Sequence, residues 1–514
     1  MSELPNGVEL PPSEVTTPRP SASAILSRER PGGHEILLGH RVSELPAFPD
    51  LWSFPGGSIS RIDRHAAQAH PKWLSERGDD RLATLTLLRE MVEEIGISPD
   101  GSGGFVEVDA DVRELVCSDK SGWLKAIESG RLSIEGFHCQ VITERITPPQ
   151  APARFHNLFF HVPIGDSSAL PSFPPGRTEF DEFRWWRPAD LLSSWEDNEL
   201  RLPPPIVTLA RDLVKAIDCE DGLRSACDAL AADPPSGRHR FEYGPGVECI
   251  LIPTATLPPA SHTNCYVLGE RGGERVVVDP AARDGEGLEE LELKVQEIRG
   301  DGSSITATIF THRHPDHIGD LGRISEIYEA PIWASEETHA AIPGSTCDEV
   351  LSEGDSFVLE GPSGGVHWEV IESPGHCPGQ ICLVSDAGVI SGDNCSTVGT
   401  ILVASGEGDM GAYISGLERL RALKPKVLFP GHGPLIANPE RLLTHYIEHR
   451  RARHRRILEA VREGNSDIPS IAEAAYSDTP DAHPMLARDQ ALSHLKELQR
   501  SGDVMHDDSG FAAV

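Results

Sequence analysis

The hydrophobic positions of this chain change period several times along its length, and the changes divide it into regions of different structure. From about Arg19 to Leu213, alternating apolar runs such as RPSASAIL predict strands around one long helical segment, in which Leu85, Leu88, Val92 and Ile95 recur at helical spacing. This region closes with RTEFDEFRWWRPADLL and RLPPPIVTLARDL, which predict a last strand and a final helix. Residues 214–240 give a helical patch followed by Pro, Ser and Gly, the chemistry of a connector. From Phe241 to Ala437, short β-branched runs (VVVD, ATIF, ICLV) end in His or Asp clusters, which predicts strand ends handing polar side chains to adjoining loops. Residues 438–514 become helical, with PERLLTHYIEHRRARHRRILEAVREG and two further helical patterns, before VMHDDSGFAAV predicts two short strands around a DDSG turn. Residues 1–18, rich in glutamate and proline, predict a disordered tail.

A chain of 514 residues is too long for one hydrophobic core, so a modular protein is expected. No apolar run reaches the length of a membrane span, and the first residues carry no basic start or apolar stretch of the secretory kind. Ten cysteines without a CxxC pair suit reduced thiols and a cytoplasmic location. Cys377, Cys382 and Cys395 lie near the histidine motifs but read as small buried apolar side chains. A net charge of -34 repels polyanions, so a nucleic-acid partner would need a local basic patch. The oligomeric state is left open.

Candidate chemistry is concentrated in THRHPDHIGD. His312, His314, Asp316 and His317 follow the apolar run ITATIF, and the loop leaving that strand would bring four metal-binding side chains together. Zinc takes imidazole nitrogen and carboxylate oxygen, and a hydrolytic site needs several such ligands with a position left for water. His376 in SPGHCPGQ, Asp393 in ISGDN and His432 in FPGHGPLI follow, each after an apolar strand and in a glycine-rich turn. These elements, in this order, resemble the metallo-β-lactamase superfamily, an αββα sandwich. The resemblance implies His312, His314 and His376 on one Zn²⁺, Asp316, His317 and His432 on a second, and Asp393 between them. Two such ions would lower the pKa of a held water, with Asp316 among the catalytic groups. Asn264, Tyr266 and Asp279 match structural positions of the same superfamily. The tract from PGHGPLI through HLKELQRSGDV resembles the winged-helix tail of the lactamase-like endoribonucleases. In it Arg450, Arg451, Arg453, Arg455 and Arg456 form the densest basic cluster, either a phosphate-binding face or a salt-bridged helix; Leu492, Leu495 and Leu498 read as core.

A second constellation lies in LREMVEEIGI. Glu90, Glu93 and Glu94 share a helix face opposite the leucine stripe, a like-charge cluster that a divalent cation or a basic partner must neutralise; Mg²⁺ or Mn²⁺ suits such oxygen ligands. With FPGG upstream and RWWRPADLL downstream, it resembles the Nudix box, whose glutamates bind the ions that activate water on a nucleoside diphosphate. The resemblance implies Glu93 and Glu94 as ligands, Glu90 as a third, and Arg89 as the residue that orients them. The first half of that box departs from the family pattern: Ser75 and Arg81 stand at its glycine and glutamate positions, and Glu76, Asp79 or Asp80 are the expected substitutes.

The expectation is therefore a multidomain α/β and α+β hydrolase: a Nudix-like α/β/α sandwich over 19–213, a connector over 214–240, an αββα domain over 241–437 and a winged-helix-like domain over 438–514. Its leading expected substrate is a phosphodiester, single-stranded RNA or a nucleotide. The rival is a thioester or ester of acyl-coenzyme A type, with the N-terminal region catalytic or a ligand sensor.

Overall fold

The computed structural model describes residues 15–31, 33–119, 121–149, 151, 153–165, 167, 169–235, 239–342 and 348–514; the expected tail lies outside them up to residue 14, and residues 15–18 carry no regular structure. The chain forms two compact units, 16–245 and 246–514.

In the first unit a mixed sheet runs in the order Trp52–Ser53, Gly33–Arg41, Arg19–Arg30, Phe155–Gly165, Gln140–Ile146, with Gly56–Ser58 also on Arg19–Arg30 and Phe180–Trp186 on Gly33–Arg41. The two-residue period decides which side chains meet which helices. Ala22, Ala24, Leu26 and Leu37 enter one core with the helix Arg81–Glu90, while Ile25, Ile36 and Leu38 enter another with the helices Pro188–Glu196, Pro204–Cys219 and Gly222–Ala232. The sheet thus has helices on both faces.

The connector expected over 214–240 is corrected by this packing. Leu213 is buried on Pro204–Cys219, and Leu223, Ala226 and Cys227 are buried at helical spacing on Gly222–Ala232, so residues through 232 belong to the first unit.

In the second unit one sheet runs Val247–Pro253, His262–Leu268, Glu274–Val278, Ser304–Ile309, Ile332–Ala334, Glu349–Val350, and becomes parallel from its third strand. The helices Gly285–Gly300 and Leu321–Ile327 cover it. A second sheet runs Ser356–Gly361, Gly364–Glu372, Ile381–Ser385, Gly388–Gly392, Leu428–Pro430, and is covered by Met410–Ala422 and Pro439–Arg462. This is a metallo-β-lactamase-type arrangement of two sheets between helix layers. The helices Ile468–Ala475 and Pro484–Ser501 and the hairpin Val504–Asp507/Gly510–Ala513 complete a last core with the end of Pro439–Arg462. Among the described residues no helix is long and apolar enough to cross a membrane.

Candidate metal centre

Four strand ends of the second unit deliver the histidines and aspartates singled out in the sequence. His312, His314, Asp316 and His317 follow Ser304–Ile309, the last two on the short helix Pro315–Ile318; His376 follows Gly364–Glu372, Asp393 follows Gly388–Gly392, and His432 follows Leu428–Pro430. All seven are buried. Their donor atoms fall into groups within 4.8 Å of one another: His312, His314 and His376, and Asp316, His317 and His432. Asp393 lies between the groups, 3.5 Å from Nε2 of both His317 and His432 and 3.8 Å from Nε2 of His376.

Each imidazole is tied on its outer side. His314 Nε2 meets Glu407 at 2.8 Å, and His317 Nδ1 meets Asp279 at 2.9 Å. His376 Nδ1 donates to the Leu402 carbonyl at 2.7 Å and His432 Nδ1 to the His262 carbonyl at 2.9 Å, while His312 Nδ1 lies 3.0 Å from the Thr311 hydroxyl. The other nitrogen of each ring therefore points inward as an acceptor. These inward nitrogens approach one another closely: 3.1 Å between His312 and His314, 2.9 Å between His314 and His376, and 3.3 Å between His317 and His432. Lone pairs facing lone pairs at such distances require a proton or a cation between them, and five imidazoles with two carboxylates are a donor set for divalent metal.

The electrostatics agree. Burial together with the facing His317 and His314 rings pushes His312 well below its ordinary pKa. For His432 burial works downward, but Asp393 outweighs it and raises the group to about 9. Burial works upward on Asp393, and the His432 and His317 rings overcome it and hold the carboxyl well below its usual range. Asp393 thus favours positive charge at His432, while burial and the neighbouring rings disfavour it at His312.

Backbone shape makes room for them. A Cβ on Gly431 would stand 2.4 Å from Asp393 Oδ1 and 2.7 Å from His317 Cε1, so only glycine fits between the strand end and the ligands. Asp279 holds a positive φ of 50°, and its carboxylate accepts from Thr311 N at 2.7 Å, Thr311 Oγ1 at 2.6 Å and His317. Asn264 donates to the Pro430 and Gly433 carbonyls and Tyr266 to Pro430, pinning the His432 turn. Sequence reasoning missed Glu407, which accepts from His314 and also pairs with Arg313. Burial works against its ionisation, but His314 and Arg313 lower it to about 2.

With this geometry in view, the metallo-beta-lactamase superfamily model matches residues 258–432. Residues 258–432 form a metallo-beta-lactamase superfamily domain. Beta-lactamase-like protein 2 homolog of Drosophila melanogaster is 27% identical over 255 residues, 47% of this chain and 83% of that one. Thioesterase pkgB of Emericella nidulans is 27% identical over 254 residues, covering 47% and 69% of the two chains. A solved beta-lactamase domain protein from Burkholderia ambifaria is similar at 23% identity and a TM-score of 0.45, covering 55% of this chain and 96% of that one.

Beside this cluster, the metallo-beta-lactamase domain has a small recess, lined by Leu257, Ala260, Val398, Ile401 and Leu402 on its apolar side and by Thr256, Ser396, Thr400, His376, Asp393 and His432 on its polar side. Four of the five clustered arginines are engaged within the fold, and Arg455 is exposed. Arg450 and Arg453 are buried: Arg450 lies over the Tyr413 ring and donates to the Ile401 carbonyl, and Arg453 binds the Ala475 carbonyl and Asp478. Arg451 pairs with Glu418 and Arg456 with Asp478. Cys377, Cys382 and Cys395 are fully buried, and burial drives their thiols upward, that of Cys395 to about 12.

In the first unit Arg89 is the hub of the glutamate cluster. Its fully buried guanidinium meets Asp63 at 2.8 Å, Glu90 at 2.8 Å and Glu93 at 2.9 Å. The helix runs through Arg81–Glu90 into a π-turn over Met91–Ile95 and ends at Gly96 with φ 69°. Glu94 Oε2 accepts from Gly56 N at 2.7 Å. Burial, with Glu90 and Glu179 nearby, pushes the Glu94 carboxyl well above its usual range. A Cβ on Gly57 would lie 2.2 Å from Glu90 Oε1. Of the expected acidic substitutes, Glu76 and Asp79 are exposed and Asp80 is half-buried, while Asp63 of the helix Arg61–Ala69 lies buried beside Arg89. Arg81 instead donates to the Ala67, His70 and Trp73 carbonyls and closes the end of that helix.

Proposed function

We propose that the chain is a metal-dependent hydrolase with two centres, whose metallo-beta-lactamase domain cleaves a small acyl thioester. His312, His314 and His376 would hold one Zn²⁺, Asp316, His317 and His432 a second, and Asp393 would face both. Ions held there would supply Lewis acidity to the scissile carbonyl and an activated water. The residues do the rest. Glu407, Asp279 and the carbonyls of Leu402 and His262 keep the ring nitrogens aimed inward. Leu257, Ala260, Val398, Ile401 and Leu402 receive the acyl chain and exclude water from it. Thr256, whose hydroxyl lies 3.2 Å from His432 Nε2, marks the polar end where the scissile group would sit.

The observation that carries this reading is the recess against the histidine and aspartate cluster, one side of which is apolar. A phosphodiester substrate would draw on the Arg450 to Arg456 run, in which Arg450 and Arg453 are buried and Arg451 and Arg456 are ion-paired, leaving Arg455 to offer its charge. Similarity to a protein named a thioesterase supports the same bond class. Single-turnover assays with an acyl-coenzyme A and with a labelled oligoribonucleotide test the choice. Thioester cleavage is expected, and cleavage of the oligoribonucleotide alone sinks the thioester reading.

For the first unit we infer a Nudix-type diphosphate hydrolase, with Glu90, Glu93 and Glu94 holding Mg²⁺ or Mn²⁺ and Arg89 orienting them. Acyl-coenzyme A carries both a thioester and a diphosphate, so one class of substrate would serve both centres. Glu93→Gln should abolish phosphate-ester release from coenzyme A while leaving thioester cleavage intact. Binding of coenzyme A with no turnover in wild-type protein would make this unit a sensor instead.

A further inference from the structure

The segment 400–409 forms a wall of the pocket without strand or helix structure, yet residues 401–403 are buried. Buried irregular backbone needs hydrogen-bond partners from elsewhere. Here they come from the C-terminal helices. Arg450 on Pro439–Arg462 donates to the Ile401 carbonyl and lies 3.4 Å from Thr400 Oγ1. Gln490 on Pro484–Ser501 donates from Nε2 to the Val403 carbonyl at 2.8 Å and accepts from Val403 N at 3.4 Å, and Arg450 reaches Gln490 Oε1 at 3.2 Å. Asp489 accepts from the Ser405 N–H at 3.1 Å and from its hydroxyl at 2.6 Å.

Leu402 stands between the two clamped residues, and its carbonyl receives the Nδ1–H of His376. Its side chain, with that of Ile401, lines the pocket. We propose that Gln490 and Arg450 are positioning residues that act through the Leu402 carbonyl on His376 and through Ile401 and Leu402 on the acyl side of the pocket. The C-terminal helices thereby serve the hydrolytic centre from within. The inference rests on the metal-dependent reading of that centre.

The test measures Zn²⁺ retention by the full-length protein against a chelator, with the melting temperature of the zinc-free form recorded alongside. Gln490→Met keeps side-chain length and removes both backbone hydrogen bonds. About tenfold weaker retention is expected, the usual effect of losing a group that orients a metal-bound histidine, together with a changed dependence of KM on acyl-chain length. The exposed Arg455→Ala should match wild type in both. Asp489→Ala, at a half-buried position, loosens the same segment at Ser405 and should shift retention in the same direction even if Gln490→Met does not fold. Retention within twofold of wild type in the folded variants overturns the inference. Wild-type protein that retains no Zn²⁺ overturns the metal-dependent reading itself, so the two failures are told apart.

Discussion

Asp316 and Glu407 act on different groups of rings, one from inside the cluster and the other from outside it. Asp316 Oδ2 lies 3.6 Å from His432 Nε2 inside the cluster, whereas Glu407 meets the outer nitrogen of His314. Asp316→Ala should abolish hydrolysis and lower the zinc content measured by atomic absorption. Glu407→Gln should retain hydrolysis at reduced zinc occupancy, with metal affinity down about tenfold. The gathering of these side chains was legible in the sequence because ligand-type residues sit in glycine-rich turns after apolar strands. Of their outer partners only Asp279 stood out: two others are backbone carbonyls, at Leu402 and His262, and Glu407 is 93 positions from His314. Nor could Asp63 be chosen over nearer carboxylates, because its closeness to Arg89 across 26 positions depends on how two helices pack.

At the scale of elements, the Asp63–Arg89 pair locks the helix Arg61–Ala69 to the glutamate helix with both partners fully buried. Asp63→Leu leaves Arg89 buried with less compensation, and urea unfolding should show the first unit destabilised by about 3–5 kcal/mol. Burial opposes ionisation of Asp63, but Arg89 and Ser60 hold its pKa below the ordinary value. A group lowered on folding stabilises above its unfolded pKa, about 3.9 for aspartate. The stability this pair contributes should be complete near pH 5 and above, and lost as pH falls below about 4 toward the lowered folded value. Wild type and Asp63→Leu should therefore converge in melting temperature on acidification. The apolar periods revealed the glutamate helix and the C-terminal helices, but the same period made residues 214–232 ambiguous. A short amphipathic helix beside Pro and Gly reads as a connector until Leu223 and Cys227 are seen to be buried.

For the whole molecule, two compact units predict two unfolding transitions in calorimetry, and chelation of zinc should lower only the one belonging to 246–514. A single transition shifted as one would contradict that expectation. Turning Arg450 and Arg453 inward also changes what the surroundings encounter. The net charge of -34 is left with two fewer surface cations to offset it in the C-terminal region. Such a molecule gathers an atmosphere of small cations and turns away polymers of its own sign. Both proposed centres would thus draw on a local enrichment of the divalent ions they need. The rate of zinc uptake by apo-protein should fall as sodium chloride is raised from about 10 mM to 150 mM, while the Debye length contracts from about 30 Å to 8 Å.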